Sequence, residues 1–411
     1  MRETMRRLGR IFGQREVLAL TLNVMLAELV VGTYHPYFSL FAQSVGASVA
    51  LVGALVAAQT LSRTVNCLTM GALSDRMGRK GIIVGAMAAF ALALAGMTWM
   101  RSPAPLFITQ VLMGAAQAGV FDIGIGYLGD VVPREDRGAA IGLYTTLMGV
   151  GFGVGSALGG ALVGGAGAYL TAFRVTALFA ALGVAVSAWG LRSVRRPGVQ
   201  EAPEPAAGWR LRAVITPMLD ALNNRLLLSG SILNALKSAW FAVVGGGFLS
   251  LYMANHGISA EAIGLIFGLR AITSSAARLP AGLLTRRWPS YWIIIAATSV
   301  TMVGFWLLPL LTSAWALAGF VTIEGAMFGA LMSVGNAFVA ENARADNLGS
   351  ALGLFGTVGG AGSTLLSLLV GLVADWRGLP TMFIFMGAVL LLGMGLALWV
   401  RGRGAAPSAR A

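Results

Sequence analysis

The chain has 411 residues, of which 57% are hydrophobic and 11% charged, with mean hydropathy +0.79 and a formal net charge of +13. Soluble domains carry about 25% charged residues, so composition excludes one water-soluble core and points to an integral membrane protein with many spans. The excess of positive charge would suggest a nucleic-acid partner in a soluble protein; here the basic residues fall in loops on one side of a bilayer, and no nucleic acid is expected.

At roughly 20 residues per span, the apolar segments predict twelve helices, over residues 17–42, 48–72, 80–100, 105–130, 138–163, 169–191, 226–252, 259–284, 290–311, 314–340, 348–373 and 380–400. Short loops carry the breakers Pro103, Pro133, Pro289 and Pro380. The exception is the polar stretch from Arg192 to Arg225, with Pro197, Pro203 and Pro205. It predicts a linker, 192–225, between an N-terminal six-helix bundle (1–191) and a C-terminal bundle with its tail (226–411).

Basic residues sort by loop. Arg2, Arg6, Arg7, Arg10 and Arg15 precede span 1, and most others lie in the even-numbered loops and the linker; only Arg101 and Arg377 fall in loops on the other side. The positive-inside rule then puts both termini in the cytoplasm. Trp99, Trp288, Trp315, Trp376 and Trp399 lie near span ends, as interfacial anchors do. The basic N-terminus runs into a full-length span, so no cleavable signal is expected. One cysteine, Cys67, precludes a disulfide within the chain. Only Lys80 and Lys237 are lysines; that arginine bias suggests a GC-rich bacterial genome, and hence a bacterial inner membrane.

The halves also align without a gap at a constant shift of 211 residues. Gly46 falls on Gly257, Gly53 on Gly264, Gly71 on Gly282, Gly114 on Gly325, Gly124 on Gly335, Gly138 on Gly349, Gly142 on Gly353 and Asn23 on Asn234. The register predicts two pseudo-symmetric six-helix halves with a binding site near the midplane between them.

Between spans 2 and 3 lies Gly71–Lys80, GALSDRMGRK, with Asp75, Arg76, Arg79 and Lys80 around Gly78. Glycines at both ends suit a tight reversal between helices. The string resembles the loop signature of the major facilitator superfamily of secondary transporters, Gly-x-x-x-Asp-Arg-x-Gly-Arg-Lys, at every fixed position. The resemblance, extended by the span count and the repeat over nearly the whole chain, implies an all-helical twelve-span fold working by alternating access. It further implies a gate in which Asp75 faces the start of span 11, near Asn347 to Gly349, and Arg79 or Arg76 meets Asp130. The alternative is a solvated turn that only sets topology. The second-half copy has Arg286 and Arg287 where Asp75 and Arg76 stand. Span 5, with Gly142, Gly151, Gly155, Gly159 and Gly160, resembles the antiporter branch's glycine motif, though Ser156 replaces its proline; a glycine-packed helix contact is the alternative. Span 4 has Gln110 where proton-coupled relatives carry arginine.

Four ionisable groups lie deep in spans: Glu28, Asp122, Lys237 and Glu324, one on each of spans 1, 4, 7 and 10, which line the cavity in the family. Charge in hydrocarbon is expensive, so these should face water, substrate or each other. Glu28, Glu324 and Asp122 are candidates for proton coupling; a static Glu28–Lys237 ion pair is the alternative. Arg63 shares a helix face with Gln59 and Asn66, and Arg270 with Ser274 and Arg278; Arg63 and Arg270 either neutralise the acids or, with Lys237, hold an anionic substrate. Arg174 and Arg278 could snorkel instead. His35 lies one heptad after Glu28, as a relay or a hydrogen-bonded group ahead of Pro36. Trp240, Phe241, Met327 and Phe328 would supply an apolar wall. No phosphate-binding loop, metal constellation or hydrolase motif is present, so neither a cofactor nor an enzyme is expected. The sequence thus predicts a monomeric transporter for proton-coupled efflux of a small amphipathic molecule. The alternatives are uptake or exchange of an organic anion, a lipid flippase, or a transporter-like sensor.

Overall fold

The structure, a computed structural model, describes residues 14–133, 136–164, 169–193, 224–343 and 348–402. Most of the expected linker, and the Asn347 end of the expected gate, lie outside these residues. The side chains of Asp75 and Arg76 also lie outside the description.

Among the described residues, twelve helices are long and apolar enough to cross a membrane: α1 Arg15–Ser44, α2 Val49–Met77, α3 Arg79–Met97, α4 Leu106–Val131, α5 Arg137–Gly164, α6 Tyr169–Gly190, α7 Arg225–Asn255, α8 Ala260–Leu284, α9 Ser290–Leu310, α10 Ala314–Asn342, α11 Leu348–Arg377 and α12 Leu379–Gly402. The apolar segments dictate this, since a backbone in hydrocarbon must satisfy its own N–H and C=O groups. The anchoring tryptophans are exposed, Trp315 most of all.

The repeat is visible in the turns. Gly46 and Gly257, 211 residues apart, both take positive φ (96° and 75°). Two residues on, Ser48 and Ser259 cap α2 and α8 by accepting from the amides of Leu51 and Ala262, which satisfies donors a helix start leaves open. Packing repeats as well. In the first half α1 lies on α5 and α6, α2 on α4, and α3 on α4 and α6; α7 to α12 follow the same scheme.

Two seams join the halves, α2 against α11 and α5 against α8. Each closes on a glycine pair. A Cβ on Gly53 would lie 2.6 Å from the Ser367 carbonyl oxygen and 2.8 Å from Gly371 Cα; one on Gly264 would lie 2.4 Å from the Ser156 oxygen and 3.2 Å from Gly160 Cα. Each of these positions has its counterpart at the same 211-residue shift. These pairs lie toward the end of the molecule away from the termini. Toward the terminal end, Gly71, Gly142, Gly353 and Gly356 have no atom within 4 Å of such a Cβ. The halves are therefore sealed at the end away from the termini and less closely packed at these four glycines.

Three departures from the sequence expectation matter. First, α2 does not stop near Gly71 but runs to Met77, so Asp75 and Arg76 belong to its last turn and Gly78 alone (φ 83°) makes the reversal. Residues 72–77 contain no breaker, and Ala, Leu, Arg and Met all favour helix. Second, α4 contains a π-helical turn, Ala118–Asp122, whose Val120 and Phe121 carbonyls accept from the Tyr144 hydroxyl at 3.2 and 3.4 Å. Third, α7 is interrupted after Gly245, with Gly247 left-handed (φ 94°).

Candidate functional site

The most ordered polar cluster lies between α7, α8 and α10. Arg270 donates from Nε to Glu324 Oε2 at 2.6 Å and from Nη2 to Oε1 at 2.8 Å, a fork that matches the carboxylate with two parallel bonds. Trp240 Nε1 adds a third donor to Oε1 at 3.0 Å. Arg270 is 4% and Glu324 1% exposed. The sequence brings them together through small residues: a Cβ on Gly325 would sit 2.8 Å from the Arg270 carbonyl oxygen, and α8 and α10 touch there. The guanidinium also lies over the rings of Phe241 and Phe328, 5.4 and 4.9 Å from their centroids, and the rings stack at 4.9 Å. Phe241, Phe328 and Met327 are half-buried beside the central space; Trp240 is fully buried behind them and holds the carboxylate.

The remaining charges are looser. Arg63 Nη2 lies 4.0 Å from Asp122 Oδ1, with both side chains about two-fifths exposed at 42% and 37%. The Cys67 thiol is within hydrogen-bonding reach of Asp122, and the π turn places Asp122. Glu28 is half-buried, and among the described residues it makes no ion pair within 4.0 Å; Arg63 and Arg278 are the cations whose fields reach it. Lys237 does not pair with Glu28. Lys237 is half-buried, with its ammonium 3.5 Å from the Met332 sulfur, and it faces the field of Arg63. The central space thus gathers Glu28, Arg63, Asp122 and Lys237 from α1, α2, α4 and α7.

At the sealed end α1 meets the break in α7. Ser39 Oγ donates to the Gly247 carbonyl at 2.8 Å, and His35 Nδ1 hydrogen-bonds the Gly245 carbonyl. His35 Nε2 lies 3.5 Å from Gln59 Nε2. Gln110 is buried and donates to the Tyr34 hydroxyl. In α5 the glycines are contact points: a Cβ on Gly151, Gly155 or Gly159 would crowd the carbonyl oxygens of Met25, Leu29 and Thr33 in turn at 2.3, 2.3 and 2.8 Å, while Gly160 faces α8. At the terminal end Arg79 Nε pairs with Asp130 Oδ2 at 2.6 Å and crosses Gly126, where a Cβ would lie 1.6 Å from Nη1. Lys80 stands beside it in the first turn of α3, half-buried. Arg278 reaches across the α5–α8 seam to the Thr145 carbonyl at 3.3 Å, rather than to the lipid interface.

Residues the sequence did not single out include Tyr144, Gly126 and Met332. The GGG run at 245–247 was the available signal for the break in α7.

A family model described as Major Facilitator Superfamily matches residues 20–251 and 238–411. An uncharacterized MFS-type transporter of Methanocaldococcus jannaschii is 22% identical over 94% of this chain and 98% of its own length. The class C tetracycline resistance protein of Escherichia coli is 23% identical over 64% of this chain and 65% of its own. In fold, the solved nucleoside transporter NupG superposes with a TM-score of 0.78 at 14% identity, covering 94% of this chain and 98% of that one. Twelve helices among the described residues, in two related halves around a polar centre and matched by the family model along nearly their whole length, make this chain a secondary transporter of the Major Facilitator Superfamily.

Proposed function

We propose that this transporter exports a small amphipathic molecule in exchange for protons, as a monomer in a bacterial inner membrane. Bundles 1–191 and 226–411 would rock about the two seams, joined by a cytoplasmic linker over 192–225. The concentration of arginine at the terminal end supports a cytoplasmic assignment for that end, and with the glycine seals at the other end this would be an inward-open state. Asp75, Arg76, Arg79, Lys80 and Asp130 would then form the cytoplasmic gate. The tetracycline resistance relative supports export, at a distance.

One observation supports the proton coupling: Glu28 is half-buried midway along α1 and, among the described residues, makes no ion pair within 4.0 Å. An acid so placed can release a proton while water reaches it. It is cheap to enclose only when neutral, because a lone charge in the membrane interior costs several kcal/mol. Glu324, held by three donors, serves as a fixed frame in this state, and Asp122 as a second group that Arg63 can release. Phe241, Phe328 and Met327 form the apolar wall.

The test is flux into proteoliposomes whose lumen is acidified, the cytoplasmic face outward. The account expects accumulation of an amphipathic probe that a protonophore collapses. Accumulation that ignores the gradient would remove proton coupling from the account.

A further inference from the structure

The charges around the central space do not balance. Among the described residues its acids are Glu28, Asp122 and Glu324; its cations are Arg63, Lys237, Arg270 and Arg278. Glu324 is taken by Arg270 at 2.6 Å. Asp122 lies 4.0 Å from Arg63. The field of Arg278 acts on Glu28, and Arg278 anchors itself on the Thr145 carbonyl. His35, the other titratable group nearby, bonds Gly245 and adds no negative charge. Lys237 is left over, with a thioether as its contact and Arg63 as the charge that opposes it. Two like charges facing one low-dielectric space repel, and enclosing such a space requires a counter-charge.

The surroundings of Lys237 also have a shape. Phe241 follows it by one turn on α7, and Phe328 precedes Met332 by one turn on α10, so an ammonium–thioether level sits about 6 Å from a level of stacked rings. The cationic level lies toward the open end and the apolar level deeper. We propose, building on the export reading above, that the molecule carried is an amphipathic monoanion: a single carboxylate or sulfonate bracketed by Lys237 and Arg63, with its aromatic or alkyl body on Phe241, Phe328 and Met327. The export reading leaves the charge of the substrate open; this assigns its sign and its anchor.

Binding of naphthoate, naphthamide and naphthylmethylamine to the purified full chain tests this, in nanodiscs of phosphatidylcholine so that no anionic lipid supplies the charge. Naphthoate should bind at least ~10-fold tighter than the other two. Lys237→Gln should erase that preference without weakening naphthamide, and Lys237→Arg should keep it. A second readout separates anchoring from folding: in the absence of probe, Lys237→Gln should leave the apparent Tm unchanged or raise it, because a lone charge leaves the interior. A naphthoate affinity untouched by Lys237→Gln, an equal or better affinity for the amide or amine, or no naphthoate binding would each overturn the assignment. Restored preference upon anionic lipid addition alone would move the site to a lipid headgroup and overturn the small-molecule anion. Because binding is read without a pH gradient, failure of proton-driven flux would overturn the export reading and leave this result standing.

Discussion

Glu324→Gln is the most quantitative perturbation the site offers. Glutamine keeps the shape and one acceptor for Trp240 but removes the charge that balances Arg270, in a setting where the arginine is 4% exposed. Removing one partner of a buried pair costs about 3–5 kcal/mol, most of it from the stranded charge. The rings of Phe241 and Phe328 lie over the guanidinium with or without the carboxylate charge and so do not offset this cost, and we expect a net loss of about 3–5 kcal/mol. Removing both charges, Arg270→Met with Glu324→Met, should cost far less, since well-packed apolar replacements of buried pairs are often neutral. The assay is equilibrium unfolding in detergent, run as a double-mutant cycle. A single-mutant cost under about 1 kcal/mol, or additivity to within about 0.5 kcal/mol, would refute the idea that this pair is a buried, mutually dependent unit.

Three other outcomes follow from the same geometry. Arg79→Ala should impair flux more than Arg286→Ala at equal expression, because Arg79 holds Asp130 at 2.6 Å whereas Arg286 is exposed; the reverse order would dismiss the asymmetry of the two loops. Cys67, the sole cysteine and exposed, should react with an impermeant maleimide from the terminal side, and labelling from the opposite side only would contradict the open end assigned here. Gly264→Val, whose first carbon would meet the Ser156 oxygen at 2.4 Å, should pry open the sealed end and slow that labelling; an unchanged rate would show that the glycine pair does not hold the seal.

Much of this architecture was legible in the residues because the physics behind it is local or repeated. Hydropathy and breakers place the helices, since hydrocarbon leaves a backbone few alternatives. The 211-residue register anticipated more than symmetry: Gly53 and Gly264, aligned by it, are the positions where the seams close. Family resemblance implied that Arg79 or Arg76 meets Asp130; Arg79 lies 2.6 Å from it, and the Arg76 side chain lies outside the described residues. What stayed hidden depends on side-chain reach across helices. Arg270 was read as either neutralising one of the acids or anchoring substrate, and Glu324 as a proton carrier, because no sequence spacing tells that α8 and α10 approach closely enough at Gly325 to join these two. Trp240 looked like wall and is a donor to Glu324, a difference of helix rotation that a weakly amphipathic span does not encode. The Glu28–Lys237 pair offered as an alternative is absent because Lys237 points toward Met332. The π turn before Ile123 had no signal beyond the glycines around it; its carbonyls find Tyr144 only in three dimensions.

The central claim is that Glu28 carries the coupling proton, and Glu28→Gln tests it most directly. The substitution keeps size and hydrogen-bonding capacity, and since Glu28 makes no ion pair within 4.0 Å among the described residues it should leave the fold and probe binding intact. In proteoliposomes with an acid lumen, the account predicts that this variant still exchanges probe down its own gradient yet no longer accumulates it against one. Gradient-driven accumulation at the wild-type level in Glu28→Gln would contradict the account.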